Sequence, residues 1–270
     1  MYSEKNNISC LLTIHDKEWL IERVVKGLID NFSELINEFI IVFDGCKDNS
    51  EQIVRNCLID LSNIKIIYLY ANDVFETRAN NIGLKHVTNP YVIMIQDDII
   101  VTEKHFDKRM LQPFIVFDDV FAVTAQTTHN NYFDGNTFFH IDSINNPNRA
   151  EPHASRDIFY IREISNRGPL MYDVRDLQKL NFLDENFAPY SYDDHDISYR
   201  ARKELNKVSG LYWIGYISKP EWGTTRIKNQ TISEQSHRKN EKIIIFKHKE
   251  FLLNKDKSAI NKERILIYNE

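Results

Sequence analysis

The chain has 270 residues, 42% of them hydrophobic and 27% charged, with a formal net charge of -5 and a pI near 6.0. That length allows one large α/β domain with an ample core, and the acidic balance argues against a nucleic-acid-binding surface. No stretch approaches the roughly 20 uninterrupted apolar residues that cross a bilayer, and Met1-Tyr2-Ser3-Glu4-Lys5 lacks the basic-then-apolar order of a signal peptide.

Ile8 to Ile14 is a short apolar run of the kind a buried parallel strand shows. Lys17 to Ile29 repeats apolar residues at helical spacing through Leu20, Ile21, Val24, Val25 and Leu28. A second strand, Phe39 to Phe43, stops at Asp44-Gly45, and Asn49 or Ser50 stands where it can cap a helix reaching about Leu61. A third strand, Ile64 to Tyr70, leads to a helix near Thr77 to His86; a fourth, Tyr91 to Ile95, runs into Gln96-Asp97-Asp98. This β-α-β-α-β-α-β order predicts right-handed crossovers and a parallel sheet with helices on both faces. Ligands on such sheets collect at the carboxyl ends of the strands.

A helix near Glu103 to Phe117 and a strand near Phe121 to Ala125 follow. Gln126 to Arg156 is polar, rich in Asn and His, and reads as a long functional loop. Order returns at Ile158 to Tyr160 and Gly168 to Val174, then in helices over Arg175 to Leu180 and Asp196 to Leu205. From Ile232 onward the tail is helix-compatible and heavily charged. With no repeat and no Gly/Pro/Ser linker, the pattern predicts a single domain over residues 1–230 and a helical extension over 231–270. Cys10, Cys46 and Cys57 are too few and too scattered for a disulfide framework, and Cys10 and Cys46, in or beside strands, read as buried thiols of a reducing cytoplasm.

Three polar clusters carry possible chemistry. Asp97 and Asp98 follow a buried strand, where adjacent carboxylates repel and call for a cation. A hard divalent ion, Mn²⁺ or Mg²⁺, suits such oxygen ligands and leaves positions for phosphate oxygens. An Asp pair capping a turn is just as ordinary. Tyr192-Asp193-Asp194-His195-Asp196 opens a helix, where the dipole favours acids. Three carboxylates and an imidazole exceed a cap's needs, and one of them can serve as a general base. Asp44, at the end of the second strand, is placed to accept hydrogen bonds from a base or ribose.

The remaining candidates read more plainly. His129, His140 and His153 lack helical metal-site spacing and read as solvated loop residues; His237 is a third metal ligand or a surface residue. Trp213 and Trp222 read as packing aromatics. Arg238, Lys239, Lys242, Lys247 and Lys249 form a solvated helix face, with contact to anionic lipid headgroups as the alternative.

Taken in order, these segments resemble glycosyltransferase family 2, the large inverting family with the GT-A fold, over about residues 8 to 215. Ile8 to Asp16 with Trp19-Leu20 is similar to the family's opening strand and turn, which implies Thr13, His15 and Asp16 beside the nucleotide. Val42-Phe43-Asp44-Gly45-Cys46-Lys47-Asp48 is similar to its "VDDGSTD" segment; Phe43 replaces the first Asp, leaving Asp44 for the base contact. Thr77-Arg78-Ala79-Asn80-Asn81-Ile82-Gly83 resembles "R-N-x-G", implying that Arg78 faces the donor. Gln96-Asp97-Asp98 matches the metal motif, with Ile95 where many members carry the leading Asp. The resemblance implies Asp98 as the direct metal ligand, with Asp97 on metal and donor. Asn166-Arg167-Gly168-Pro169-Leu170 resembles the acceptor-side segment, implying Arg167 and Gly168 there together with Asp193. Phe182 to Phe187 is similar to "GGFDExF" less its glycines, and Tyr192 to Arg200 to "GEDxDLxxR", implying Asp194 as catalytic base.

The family's usual downstream histidine is replaced by Lys219-Pro220-Glu221-Trp222-Gly223, which leaves Glu221, His237 or nothing as a third ligand. The resemblance thus implies a donor half over about residues 1–125 and an acceptor and catalytic half over about 126–230. It further implies a cytoplasmic enzyme, free or at a membrane surface, using a nucleotide-diphospho-sugar, most commonly of uridine, and a glycan or lipid-linked acceptor of cell-surface polysaccharide synthesis. Two rivals stand beside it. A nucleotidyltransferase would be expected to show a Gly-rich loop, absent from Thr13-Ile14-His15-Asp16-Lys17; a non-catalytic module would have lost Asp98 or Asp194.

Overall fold

The structure, a computed structural model, describes residues 6–255 and 261–268, the side chains of 225 and 226 excepted. The leader reading of Met1 to Lys5 lies outside the described residues. Strands β1 (Ile8–Ile14), β2 (Ile36–Asp44), β3 (Lys65–Ala71) and β4 (Tyr91–Gln96) pair in parallel, in the spatial order β4-β1-β2-β3. The crossovers are α1 (Ile21–Ile29), α2 (Ser50–Leu58) and α3 (Phe75–Leu84). In α1 the buried residues are Ile21, Val24, Val25 and Leu28, the apolar stripe the sequence spacing requires. β1 is buried along all but Thr13, which explains why apolar residues dominate it.

Beyond β4 come β5 (Ile100–Val101), α4 (Phe106–Val116) and β6 (Val120–Thr124). Then β7 (Thr127–Phe133) and β8 (Phe138–Asn145) form an antiparallel hairpin, followed by β9 (Ile158–Arg162), β10 (Ile164–Ser165) and β11 (Leu170–Asp173). α5 (Val174–Lys179), α6 (Asp193–Leu205), β12 (Val208–Leu211), β13 (Tyr216–Ile217), α7 (Thr224–Lys228), α8 (Gln230–Asn254) and β14 (Lys262–Ile265) complete the chain. The main sheet has nine strands in the order β14-β9-β12-β6-β11-β4-β1-β2-β3. β11 enters antiparallel between β4 and β6, so the sheet is mixed on that side. β10, β7 and β8 make a second sheet of three strands, and β13 pairs with β5.

Five sequence expectations change. Residues 126–156 are not a loop, for most of them belong to the β7–β8 hairpin. Its strands lack an apolar alternation because the buried side is polar and satisfied by hydrogen bonds. Thr128 Oγ1 donates to the Ile164 carbonyl at 2.6 Å, and Asn130 Oδ1 accepts from the Glu163 N–H at 3.0 Å. His129 is accordingly buried within the sheet and not solvated. The helix expected over Asp196 to Leu205 starts three residues earlier than the periodicity indicates, at Asp193.

The tail is not helical throughout, since β14 adds an edge strand to the main sheet. Nor is the basic face of α8 wholly solvated. Lys247 Nζ lies 2.7 Å from both Asp184 Oδ2 and Asp196 Oδ1, and His248 Nε2 lies 2.8 Å from Asp196 Oδ1. No helix among the described residues is long and apolar enough to cross a membrane.

Candidate functional site

A cavity of about 720 Å³ opens at the carboxyl ends of β1, β2 and β4, where the crossover topology leaves strand-end side chains facing outward. Thr13, His15, Asp44, Asn80, Asp97 and Asp98 line it, with Arg167 on its far wall and Arg149 and Lys219 closing it from later segments. A second chamber of about 210 Å³ adjoins it, sharing Glu76, Gln126, Asn166, Arg167 and Tyr190 and adding Asp193, Asp194, His195, His140 and His237.

Each strand-end residue is held by its neighbours. Thr13 Oγ1 donates to Asn80 Oδ1 at 2.8 Å, joining β1 to α3. Asp44 accepts from the N–H groups of Val74 and Phe75, both at 2.8 Å, and so fixes the turn into α3, in which Asp73 and Phe75 have positive φ. Burial pushes its carboxyl up, and those two N–H groups only partly offset the rise. Gly45 beside it has φ +63°, and a Cβ there would lie 2.9 Å from Asp73, so the crossing needs glycine.

Asp97 carries a partner on each oxygen: the His15 N–H at 3.0 Å and the Lys17 ammonium at 3.2 Å. Lys17 is 1% exposed and also donates to the Trp222 carbonyl at 2.9 Å and to Thr224 Oγ1 at 3.1 Å. Burial nevertheless drives the Asp97 carboxyl up to about 6, with Lys17 opposing and Asp98 adding to the rise. Part of the cation the adjacent carboxylates call for is therefore built into the chain. A lone lysine after Asp16 belongs to no motif, which is why sequence reasoning passed over it. Asp98 faces the large cavity, and a Cβ on Gly223 would lie 3.7 Å from its Oδ2.

The wall between the chambers is a charge network around Arg167. Its guanidinium donates to Asp193 and, at 2.9 Å, to Glu76 Oε1, which also accepts from Gln96 Nε2 at 2.5 Å. Thr77 Oγ1 donates to Asp193 Oδ2 at 2.8 Å. Burial alone would lower the Arg167 pKa; Asp193, Glu76 and Asp194 together push it well above its ordinary value. Gly168 passes so close to Gln126 that a Cβ would lie 2.6 Å from the glutamine's own.

Asp194 enters the second chamber at the start of α6, after Ser191 and Tyr192 take positive φ values of 81° and 68°. Its Oδ1 accepts from the His195 N–H and ring Nδ1, both at 2.9 Å, and its Oδ2 lies 3.4 Å from the Arg167 N–H. Burial would raise this carboxyl, but His195 and Arg167 outweigh it and hold Asp194 well below the usual carboxylate range. Asp193, without the imidazole, is pushed up by burial against the pull of Arg167.

The structure brings together Thr13, His15, Asp44, Asp97, Asp98 and Arg167 around one cavity, with Asp193 and Asp194 in the next. It places four other predicted residues elsewhere. Arg78 points toward Glu185 at 3.7 Å, half exposed, and Asn80 takes the cavity position instead, because helical spacing turns them to different faces of α3. Asp16, with φ +44°, accepts from the Lys47 N–H at 2.7 Å and holds the two loops together. His237 lines the second chamber, 3.3 Å from the Tyr192 hydroxyl, whereas Asp98 lines the first. Glu221 is exposed on a single 3₁₀ turn. Glu76 belongs to no motif, and only its contacts reveal its place.

A parallel sheet with a strand-end cavity, interrupted by an antiparallel strand and flanked by a second acidic chamber, defines a GT-A protein. Sequence comparison agrees: the family profile described as glycosyl transferase family 2 matches residues 9–175, and the chain belongs to that family. No protein with a curated description matches the chain in sequence. Among solved structures it is similar to S. aureus TarS 1–349, at 15% identity and TM-score 0.53, over 79% of this chain and 60% of that one. GalNAc-T7 solved with UDP, GalNAc and Mn²⁺ gives 12% identity and TM-score 0.58, over 77% of this chain and 44% of that one. The mannosyltransferase PcManGT from Pyrobaculum calidifontis, with GDP-Man and Mn²⁺, gives 10% and 0.57, over 83% and 60%. The chain thus spans about 60% or less of these proteins' lengths.

Proposed function

We propose that this protein is an inverting glycosyltransferase that moves a sugar from a nucleotide-diphosphate donor onto an acceptor hydroxyl. The observation that carries the reading is the junction at Arg167, which sets a strand-end cavity of nucleotide-sugar size beside a chamber holding the carboxylate of Asp194. Thr13, His15 and Asp44 border the nucleotide, Arg149 and Lys219 offer positive charge to the diphosphate, and the acceptor enters past Asp194. TarS, solved with UDP and with UDP-GlcNAc, supports a uridine donor. A glycan or lipid-linked acceptor at the cytoplasmic side of a membrane fits the family.

The carboxylates of Asp97 and Asp98 fit Mn²⁺ or Mg²⁺, since such ions take oxygen ligands and settle for one or two carboxylates plus substrate phosphates. Asp98 would hold the ion, with Asp97 behind it braced by Lys17 and His15. When bound, a divalent cation neutralises the charge that builds on the departing diphosphate. The chain's own residues do the rest. Asp194 is ionised at neutral pH and orients the acceptor O–H through Oδ2. A hydroxyl becomes strongly acidic only as its oxygen bonds to the anomeric carbon, so a weakly basic carboxylate suffices if the proton moves during that step. The acceptor oxygen forms the new C–O bond, the old bond to phosphate breaks with its electron pair on the diphosphate, and the proton ends on Asp194.

Replacing the base with its amide tests this. Asp194→Asn should bind donor within about 3-fold of the native protein and lose about 10²- to 10⁴-fold in turnover, the usual worth of a positioned base. Transfer at a near-native rate would refute the assignment.

A further inference from the structure

His129 on β7, His140 on β8 and His195 on α6 lie far apart in sequence, yet one ring nitrogen of each falls within 4.8 Å of the others. We infer that these three imidazoles form a transition-metal site, of the class that takes Zn²⁺, distinct from the carboxylates of the donor cavity.

The geometry favours this over a simple stack of rings. His129 Nε2 and His195 Nε2 are 3.3 Å apart. Two nitrogens bound tetrahedrally to zinc at about 2.0–2.1 Å are separated by about 3.3–3.4 Å. Two of the rings are also held from behind, as metal-bound histidines are. His195 Nδ1 is 2.9 Å from Asp194 Oδ1, and His140 Nδ1 is 2.8 Å from Asn131 Oδ1, which leaves both Nε2 atoms for the centre. A metal takes the neutral imidazole, and His129 is sealed from water, where the neutral form is favoured. His129 and His195 are 3% and 6% exposed, while His140 sits at the rim, and the second chamber touches both His140 and His195. A three-histidine centre therefore keeps a fourth position toward that chamber, open to water or to an oxygen of a chamber ligand. The alternative role for these rings is a hydrogen bond between neutral His129 and His195, which needs a proton where the metal would sit.

Bound there, the ion would tie the β7–β8 hairpin to the first turn of α6 and, through the ring of His195, fix the carboxylate of Asp194. The site does not depend on the transferase reading. It is tested by metal binding alone, so the failure of one leaves the other standing.

The experiment is calorimetric titration of chelator-treated protein with Zn²⁺ in the Asp98→Asn background, which removes the donor-cavity ligand. A parallel titration with Co²⁺ reads the visible d–d bands of a low-symmetry nitrogen site. The expected result is one equivalent of Zn²⁺ and intense cobalt bands. His140→Ala, a rim change that spares the core, should weaken Zn²⁺ more than about 100-fold. Asp194→Asn should weaken it about 10- to 100-fold, as loss of an outer-shell carboxylate does. No binding by the folded protein would overturn the inference, as would binding that His140→Ala leaves unchanged. His129→Gln repeats the test from the buried side, with circular dichroism confirming the fold.

Discussion

Lys17 and Asp194 show how single side chains here are defined by what they touch. Lys17 is 1% exposed and pairs with Asp97 at 3.2 Å while holding the Trp222 carbonyl and Thr224 Oγ1. Removing one partner of a buried pair generally costs about 3–5 kcal/mol. Lys17→Met should therefore destabilise the protein by about 3 kcal/mol in urea unfolding at pH 7. The lower end applies because Asp97, already pushed up to about 6, can take a proton when the ammonium is gone. A loss below about 1 kcal/mol would mean that the ammonium is not what holds Asp97 in place. Of the site residues, those carried by a strand end were legible in sequence: Thr13, Asp44, Asp97 and Asp98 all follow or close an apolar run, and all line the cavity. Arg78 and Asn80 were not separable, since a motif fixes spacing but not which face of α3 turns to the ligand. Lys17, Glu76 and the histidines were invisible because their partners lie on distant segments.

At the scale of elements, the junction of α6 and α8 secures the helix that bears Asp194. Asp196 is fully buried and accepts from Arg200 Nε and Lys247 Nζ, both at 2.7 Å, and from His248 Nε2 at 2.8 Å. Burial would raise its pKa, but His248, Arg200 and Lys247 hold it down to about 2. Burial wins at His248, whose imidazole is lowered despite the carboxylate and whose Nδ1 has no partner among the described residues. At neutral pH the contact is thus a neutral N–H on an ionised Asp196. A carboxylate lowered from about 3.9 to about 2 contributes roughly 2.5 kcal/mol, present above pH 4 and lost as the pH falls toward 2. Asp196→Asn should lower stability by about 2–3 kcal/mol at pH 7 and flatten the decline between pH 4 and pH 2. Urea unfolding across that range measures both, and a variant with the native acid limb would contradict the assignment.

The parallel core was the most legible element because apolar residues dominate β1, β2 and β4 and α1 keeps a strict stripe. The β7–β8 hairpin was hidden for the opposite reason. Its inward residues are Thr, His and Asn, satisfied by hydrogen bonds that no periodicity reveals.

Across the whole molecule, the C-terminal segment closes what the central sheet leaves open. β14 covers the edge of β9, Arg264 makes two 2.6 Å contacts to Asp119, and the Leu266 carbonyl accepts from the Tyr212 hydroxyl at 2.6 Å. An uncovered sheet edge is a template for pairing with another chain. A chain ended at Lys255 should therefore self-associate with rising concentration in size-exclusion chromatography and melt lower than the full chain. A truncated chain that stays monomeric and melts like the full one would show that β14 is dispensable. The same covering action recurs at the cavity, where residues 219–223 fold back over the strand ends and Lys17 reaches across to bind Trp222.

Calorimetry with a panel of nucleoside diphosphates, with and without Mn²⁺, tests the donor cavity. One nucleotide should bind, its affinity should rise with the metal, and Asp98→Ala should remove the metal's effect. A folded protein that binds none of them with Mn²⁺ present would contradict it.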